Sequence, residues 1–383
     1  MRTPLAWKNL THDRKRLALA VGGIGFAVLL MFMQLGFRGA LFDSTLALPR
    51  RFDADIVLTH AHRYTLTVRQ KFPRRYLDVA QGSTTVASAQ PLYFESNLSN
   101  WKLPGQPVGP PIRVLGFDPK RQPLLIADVK AQADKLMQAD AVLFDRMSKE
   151  DFGDMRIGGA AELNGRRVRV VGDYALGTDF ADDGTILCSE HTFNAVFYPY
   201  LTGNQGLAEA DFGLIRLHDG ADLATARDEI DALVPPDVQV MTKQQFLDKE
   251  FEFWNTATPI GYIFALGTVM GFIVGMIICY QILFSDISDH MREFATLKAM
   301  GYRPQYFVSL VLQEALWLSI FGFVPGFIAS IALYEIVTAA TGLQVTMSAA
   351  RIVGVVLLTA TMCVISGALT MRKVVTSDPA ELF

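Results

Sequence analysis

Few residues in this chain have a type and spacing that could do covalent or metal chemistry. His60-Ala61-His62 follows a predicted strand, and a continued strand would point both imidazoles to one face. Two ligands are too few for a metal site and no third stands at a meaningful spacing, so a solvated loop is the better reading. Ser189-Glu190-His191 supplies a hydroxyl, a carboxylate and an imidazole, but no G-x-S-x-G elbow presents the serine. Of the three cysteines, Cys279 and Cys363 fall in apolar stretches and Cys188 is left alone in the polar region. Neither a disulfide framework nor a cysteine zinc site can be built. The phosphate-cradling pattern G-x-x-x-x-G-K-[ST] is missing, and Gly22-Gly23-Ile24-Gly25 lies in an apolar stretch where phosphate would not go. No catalytic, cofactor-binding or metal-binding residue is therefore expected. If ATP drives this protein, another chain binds the ATP and its magnesium.

What the chain offers instead is a set of uncharged stretches, residues 17–37, 255–285, 315–334 and 352–371. Each is at least twenty residues long, enough to cross about 30 Å of hydrocarbon as a helix. None contains Asp, Glu, Lys, Arg or His, and Gln34 and Gln281 are their largest polar side chains. Proton relays need ionisable groups inside the membrane, so a proton-coupled pump is not expected. The first stretch, at 21 residues, exceeds a signal-peptide core and has no clear small-x-small site after Phe37, so it reads as an uncleaved anchor. Hydrophobic residues make up 51% of the chain, charged residues 19%, and the net charge is -3. That balance gives no hint of a nucleic-acid partner.

The expected fold class is an α+β membrane protein, with four transmembrane helices and a large mixed α/β periplasmic domain inserted between helices 1 and 2. Basic residues set the orientation: Arg2, Lys8, Arg14, Lys15 and Arg16 precede the first span, Arg292, Lys298 and Arg303 separate the second and third, and Arg372 and Lys373 follow the fourth. The loop between spans three and four carries only Arg351, so both termini belong in the cytoplasm and the insert outside it. Arg38, Arg50 and Arg51 run against the rule, but long translocated domains obey it poorly. The expected order is a cytoplasmic segment 1–16, helix 1 at 17–37, the periplasmic domain with helical stalks at 38–254, and helix 2 with an extension at 255–285. A cytoplasmic coupling segment at 286–314 follows, then helix 3 at 315–334, a short periplasmic loop at 335–351, helix 4 at 352–371 and a cytoplasmic tail at 372–383.

Within the insert, residues 55–59, 112–117, 141–144, 185–188, 212–217 and 238–241 read as strands, and 74–87, 127–138, 190–197 and 223–233 as helices. Asn164-Gly165, between the runs 160–163 and 167–171, is a two-residue hairpin signal. Thr242 with Gln245 makes a capping box, opening a helix expected to run through Trp254 into the membrane without a break. Residues 255–285 as one helix would measure about 46 Å, longer than the hydrocarbon is thick. Gly267, Gly271 and Gly275 recur there at four-residue spacing, which puts them on one face for close packing within the subunit or in a dimer.

Between spans two and three, Phe294, Leu297 and Met300 recur at three-residue steps, with Arg292, Glu293 and Lys298 elsewhere on the helix and Gly301 as its C-cap before Pro304. A short amphipathic helix held there could dock in a partner's groove, or lie flat at the lipid interface.

The run Glu293-Phe-Ala-Thr-Leu-Lys-Ala-Met-Gly301, just after a span, resembles the signature of FtsX-like permeases, the membrane subunits of MacB-type ABC transporters. The topology, the position of the insert and the terminal Asp378-Pro379-Ala380-Glu381 are similar as well. Phe32-Met-Gln-Leu-Gly-Phe37, Ala40-Leu-Phe-Asp-Ser44 and Asp53-Ala-Asp-Ile-Val-Leu58 resemble the DevC branch, best known for exporting heterocyst glycolipid. The resemblance implies a homodimer in a bacterial inner membrane, with a separate ABC ATPase subunit held by Arg292, Glu293, Phe294, Leu297, Lys298, Met300 and Gly301. It also implies a membrane-fusion adaptor, an outer-membrane channel, contact with membrane lipid, and mechanotransmission through the stalks to the insert. FtsX-like signalling to a periplasmic partner and lipoprotein extraction are the alternatives in the same family, and a membrane-anchored periplasmic enzyme is a more distant one. The cargo is left open among lipid, glycolipid, peptide and small drug.

Overall fold

The computed structural model describes residues 14–153, 155–291, 293, 296, 297 and 300–376. Among the described residues, four helices are long and apolar enough to cross a membrane: α1 (Arg14–Thr45) and, in the C-terminal part, three that follow the insert. The insert carries α2 (Arg75–Gln81), α3 (Ala127–Gln132), α4 (Glu190–Phe197), α5 (Leu223–Leu233) and α6 (Lys243–Glu252). Then come α7 (Pro259–Asp289), α8 (Pro304–Thr341) and α9 (Ala349–Thr376). The chain divides into two compact units, one of residues 41–258 with 339–344, the other made of the remaining helical segments.

The insert is built on strands β1 (Ile56–His60), β2 (Phe72–Pro73), β3 (Val86–Glu95), β4 (Trp101–Lys102), β5 (Arg113–Phe117), β6 (Ala141–Asp145), β7 (Ala160–Leu163), β8 (Arg166–Tyr174), β9 (Thr185–Ser189), β10 (Glu209–Ala210), β11 (Phe212–Leu217) and β12 (Val238–Thr242). Ten of them form one sheet in the order β12-β1-β11-β3-β5-β9-β6-β8-β7-β4, while β10 pairs with β2. The pairs β5–β9 and β6–β8 are parallel and the rest antiparallel. Both faces are covered, which is why the central strands read as unbroken apolar runs rather than as alternating ones. Ile56, Leu58, Val142, Ile186 and Cys188 point into one core with Leu77 of α2, Phe193 of α4 and Ile230 of α5. Val57, Leu143 and Leu187 point into the other, with Val129 of α3 and Phe246 of α6.

Local signals explain most element ends. Asn164 (φ 50°) and Gly165 (φ 81°) both take positive φ, as a two-residue hairpin between β7 and β8 requires. The Thr242–Gln245 capping box forms in full at the start of α6. Ser189 of the Ser-Glu-His run is the N-cap of α4, its hydroxyl accepting the Thr192 N–H at 3.2 Å.

Three expectations are corrected. The helix expected over 74–87 stops at Gln81, because Gly82 ends it and the β-branched Thr84, Thr85 and Val86 favour the extended chain that becomes β3. The helix expected over 127–138 ends at Gln132 and tightens into a 3₁₀ turn, Ala133–Met137. The stalk helix is not continuous into the second span. After α6 the chain forms a π turn, Phe253–Ala257, and Thr258 is extended (φ -104°, ψ 147°) before Pro259 opens α7. Proline excludes the α conformation from the residue before it and is at home in a first helical turn, so the break is encoded at this pair.

In the other unit the helices approach closely where glycines remove side chains. A Cβ on Gly267 of α7 would collide with Gln34 of α1, one on Gly271 would lie 3.2 Å from Met31 Cγ, and one on Gly275 would lie 2.7 Å from Ala27 Cβ and 2.5 Å from Met362 Sδ of α9. The glycine stripe thus packs within the subunit. A second such contact joins α1 to α8: a Cβ on Gly326 would come within 2.6 Å of the Gly25 carbonyl oxygen. Tyr334 of α8 lays its ring where Gly36 has no side chain and donates its hydroxyl to the Phe32 carbonyl of α1. Ser366 of α9 donates to the Met276 carbonyl of α7 at 2.7 Å.

Candidate coupling site and the buried charges of the insert

The segment between α7 and α8 runs from residue 290 to 303, since α7 ends at Asp289 and α8 begins at Pro304. Its end is a Schellman turn: Tyr302 N–H reaches back to the Leu297 carbonyl at 3.2 Å while Gly301 stands at φ 92°. Pro304 then starts α8 from a first-turn position where its missing N–H costs nothing.

This turn separates side chains that a regular helix would have kept on neighbouring faces. Leu297 and Met291 pack inward on Ile287, Phe307, Val311 and Met371. Met300 is 63% exposed, and Tyr302 and Tyr306 stand beside it in the open with ring centroids 5.0 Å apart. At this turn Leu297 therefore faces inward and Met300 outward. Glu293 is exposed; Arg292, Phe294 and Lys298 lie outside the described residues, as does Asp378-Pro379-Ala380-Glu381.

The charges near this end are tied together. Arg16 of α1 pairs with Asp289 at 2.7 Å and Asp286 at 3.6 Å, and donates to the Ile282 carbonyl at 3.2 Å. The His290 ring nitrogen lies 3.0 Å from the Asp286 carbonyl. That hydrogen bond, with the carboxylates of Asp286, Glu293 and Glu314, raises its pKa against partial burial.

β1 ends at His60 and His62 N–H donates to His60 Nδ1 at 3.1 Å. Cys188 is buried with its thiol 3.6 Å from the Leu115 carbonyl, and burial pushes its pKa well up, away from a reactive thiolate.

Two buried charge networks had no counterpart in the sequence reading. Arg113, at the start of β5, is 1% exposed and pairs with Asp179 at 2.5 Å and Asp182 at 3.2 Å, its Nε donating to Thr185 Oγ1 at 3.0 Å. Burial lifts the Asp182 carboxyl to about 6 despite Arg113 beside it. An arginine inside an otherwise apolar strand was the signal available. The second network joins Arg63 to Asp211 at 3.0 Å, Lys71 to Asp211 at 3.7 Å, and Thr65 to Glu250 of α6 at 2.8 Å. Here the signal was a carboxylate four residues after Phe246, on the helix stripe that faces the core.

Residues 262–379 match the family described as FtsX-like permease C-terminal. An uncharacterized ABC transporter permease of Methanocaldococcus jannaschii is 23% identical over 251 residues, 62% of this chain. The chain spans 58% of the length of that relative. Among solved structures, the periplasmic region of MacB from Actinobacillus actinomycetemcomitans aligns with a TM-score of 0.36 and 12% identity, covering 51% of this chain and 91% of that one. The extracellular domain of the ABC-type transporter YknZ from Gram-positive bacteria aligns with a TM-score of 0.34 and 15% identity, covering 49% of this chain and 99% of that one.

Proposed function

We propose that this chain is the permease subunit of an ABC transporter of the FtsX/MacB type. The observation that carries the reading is an FtsX-like permease C-terminal match over 262–379 that includes the turn presenting Met300, Tyr302 and Tyr306 between two membrane-length helices. In this reading a separate ABC ATPase subunit, which holds ATP and Mg²⁺, seats on those three side chains and on the flanking charges. Exposed aromatic and methionine side chains on a rigid turn suit such a contact, since they bury large area with few torsions to freeze.

The finer reading is a DevC-like tripartite exporter in a bacterial inner membrane. Both termini are cytoplasmic, the subunit forms a homodimer, and a membrane-fusion adaptor leads to an outer-membrane channel. ATP-driven movement of the helices is passed to the periplasmic insert, which handles the cargo. Because the α6–α7 connection carries a π turn and an extended Thr258, transmission along that stalk works through a jointed link rather than one rigid rod.

The test is co-purification from native membranes with the partners identified by mass spectrometry. Recovery of an ABC ATPase that Met300→Asp or Tyr302→Asp abolishes, with the permease still inserted, supports the docking site. Undiminished ATPase recovery with both variants sinks it, and an adaptor absent from every native preparation sinks the tripartite form.

A further inference from the structure

Glu250 lies on the side of α6 that meets the loop 61–71, and it is fully buried. Its Oε2 accepts from Thr65 Oγ1 at 2.8 Å. Its Oε1 is buried as well and has no hydrogen-bond partner among the described residues. Arg63, equally buried, spends Nη1 on Asp211 Oδ1 at 3.0 Å and Gln70 O at 2.8 Å, and Nη2 on Leu66 O at 2.9 Å, with its guanidinium 4.1 Å over the Phe212 ring. Its Nε is likewise without a partner among the described residues. One desolvated network thus contains an unpaired acceptor and an unpaired donor of opposite charge, an arrangement that stays put only while neither has more to gain by moving.

The surrounding charges are committed elsewhere. Lys249, the neighbour on α6, gives its ammonium to the Arg63 carbonyl and to Gln239 Oε1, both at 2.7 Å. Asp211, between β10 and β11, serves Arg63 and Lys71. Glu95, at the end of β3, pairs with Arg69 at 3.0 Å. Just past Glu250 the helix gives way to the π turn 253–257, whose wider hydrogen-bonding pattern holds the backbone less firmly than an α-helix. Past Glu250 the chain still meets the same loop through Phe253 on Tyr64, ring centroids 5.6 Å apart, so the Glu250 contact and this ring pair together seat the end of the stalk helix.

We propose that Glu250 is a proton-operated latch between α6 and the loop 61–71: protonated, it seats the last turn of the helix on the loop, and ionised, it loosens that seat by drawing Arg63 Nε or water to Oε1. Burial holds the Glu250 carboxyl at about 7, above its ordinary 4.5, so the latch works near neutrality. The sign follows from which form the fold prefers. A raised carboxyl pKa means the neutral form is favoured, so the seat is tightest below about 4.5 and loosens as the pH rises through about 7.

Hydrogen exchange read by mass spectrometry on the full chain in lipid nanodiscs, corrected for the chemical pH dependence, tests this at pH 6 and pH 8. Peptides covering 61–71 and 246–257 are expected to lose about tenfold in protection between the two, while those in α5 and β7, away from both buried charge networks, do not. Glu250→Gln should remove the step and keep both peptides protected throughout. A wild-type protein with equal protection at both pH values overturns the proposal, as does a step that survives in folded Glu250→Gln. Should that variant fail to fold, Thr65→Val decides. Losing a donor to the carboxylate should move the midpoint upward by about half a unit to one unit, and an unmoved midpoint overturns the latch.

Discussion

Arg113 is the residue whose loss the insert should feel most, because it neutralises two buried carboxylates at once. Arg113→Met leaves Asp179 and Asp182 facing each other without a cation, a defect expected to cost about 3–5 kcal/mol in urea unfolding of the insert. Asp182 itself makes a pH-dependent contribution. With the carboxyl raised to about 6 from an ordinary 3.8, that contribution is complete below the lower value and is lost as the pH rises through about 6. Asp182→Asn should therefore flatten this part of the wild-type fall in stability between pH 4 and 6.5, read from the difference in urea midpoints. At the turn proposed for docking, Leu297→Asp would break the packing on Ile287, Phe307 and Val311 and so lower membrane-unit stability. Met300→Asp meets no such packing, and it should cut ATPase association while leaving thermal stability in detergent nearly unchanged. The Schellman glycine was legible from sequence because its φ is dictated locally. The inward turn of Leu297 was not, since it depends on Phe307 and Met371, which only the fold brings near.

Elements with local stop and start signals were read nearly to the residue: α4, α5, β11, the Asn164-Gly165 hairpin and the capped start of α6. Where the signal was tertiary, the reading slipped. β3 was invisible because Pro91 and small polar residues hide a ten-residue strand that draws its register from Gly213 and Leu214 of β11. The glycine stripe on α7 was legible as a packing face, but only the fold assigns it to Ala27, Met31 and Gln34 of α1. Gly275→Leu should force α1 and α9 away from α7 and lower the detergent melting temperature, by an overpacking cost of about 1–3 kcal/mol. Lys249→Pro tests the stalk. It deletes a helix hydrogen bond and unseats the ammonium from the Arg63 carbonyl. Export should drop while ATPase assembly survives, and full export by a stably assembled variant would count against transmission through this connection.

For the whole molecule, the distribution of apolar residues was enough to place four long helices and the insert between the first two. The order of strands was not, because non-consecutive pairing leaves no trace in local sequence. The chain purified alone is expected neither to bind nor to hydrolyse ATP, as nucleotide binding and turnover assays on contaminant-free protein can check; binding by this chain would end the split-subunit reading. The sheet order also sets a clock on biosynthesis. β1 lies between β11 and β12, so the second strand of the sheet cannot receive either neighbour until more than 150 further residues have been made. At ribosomal speeds of about 5–20 residues per second, Ile56-Val57-Leu58 waits roughly 8–30 s with both strand edges unpaired. Its side chains end fully buried on both faces of the sheet, so during that interval it is a sticky tape in need of a holdase, and slowing synthesis across the insert should raise aggregation before it changes any property of the finished protein.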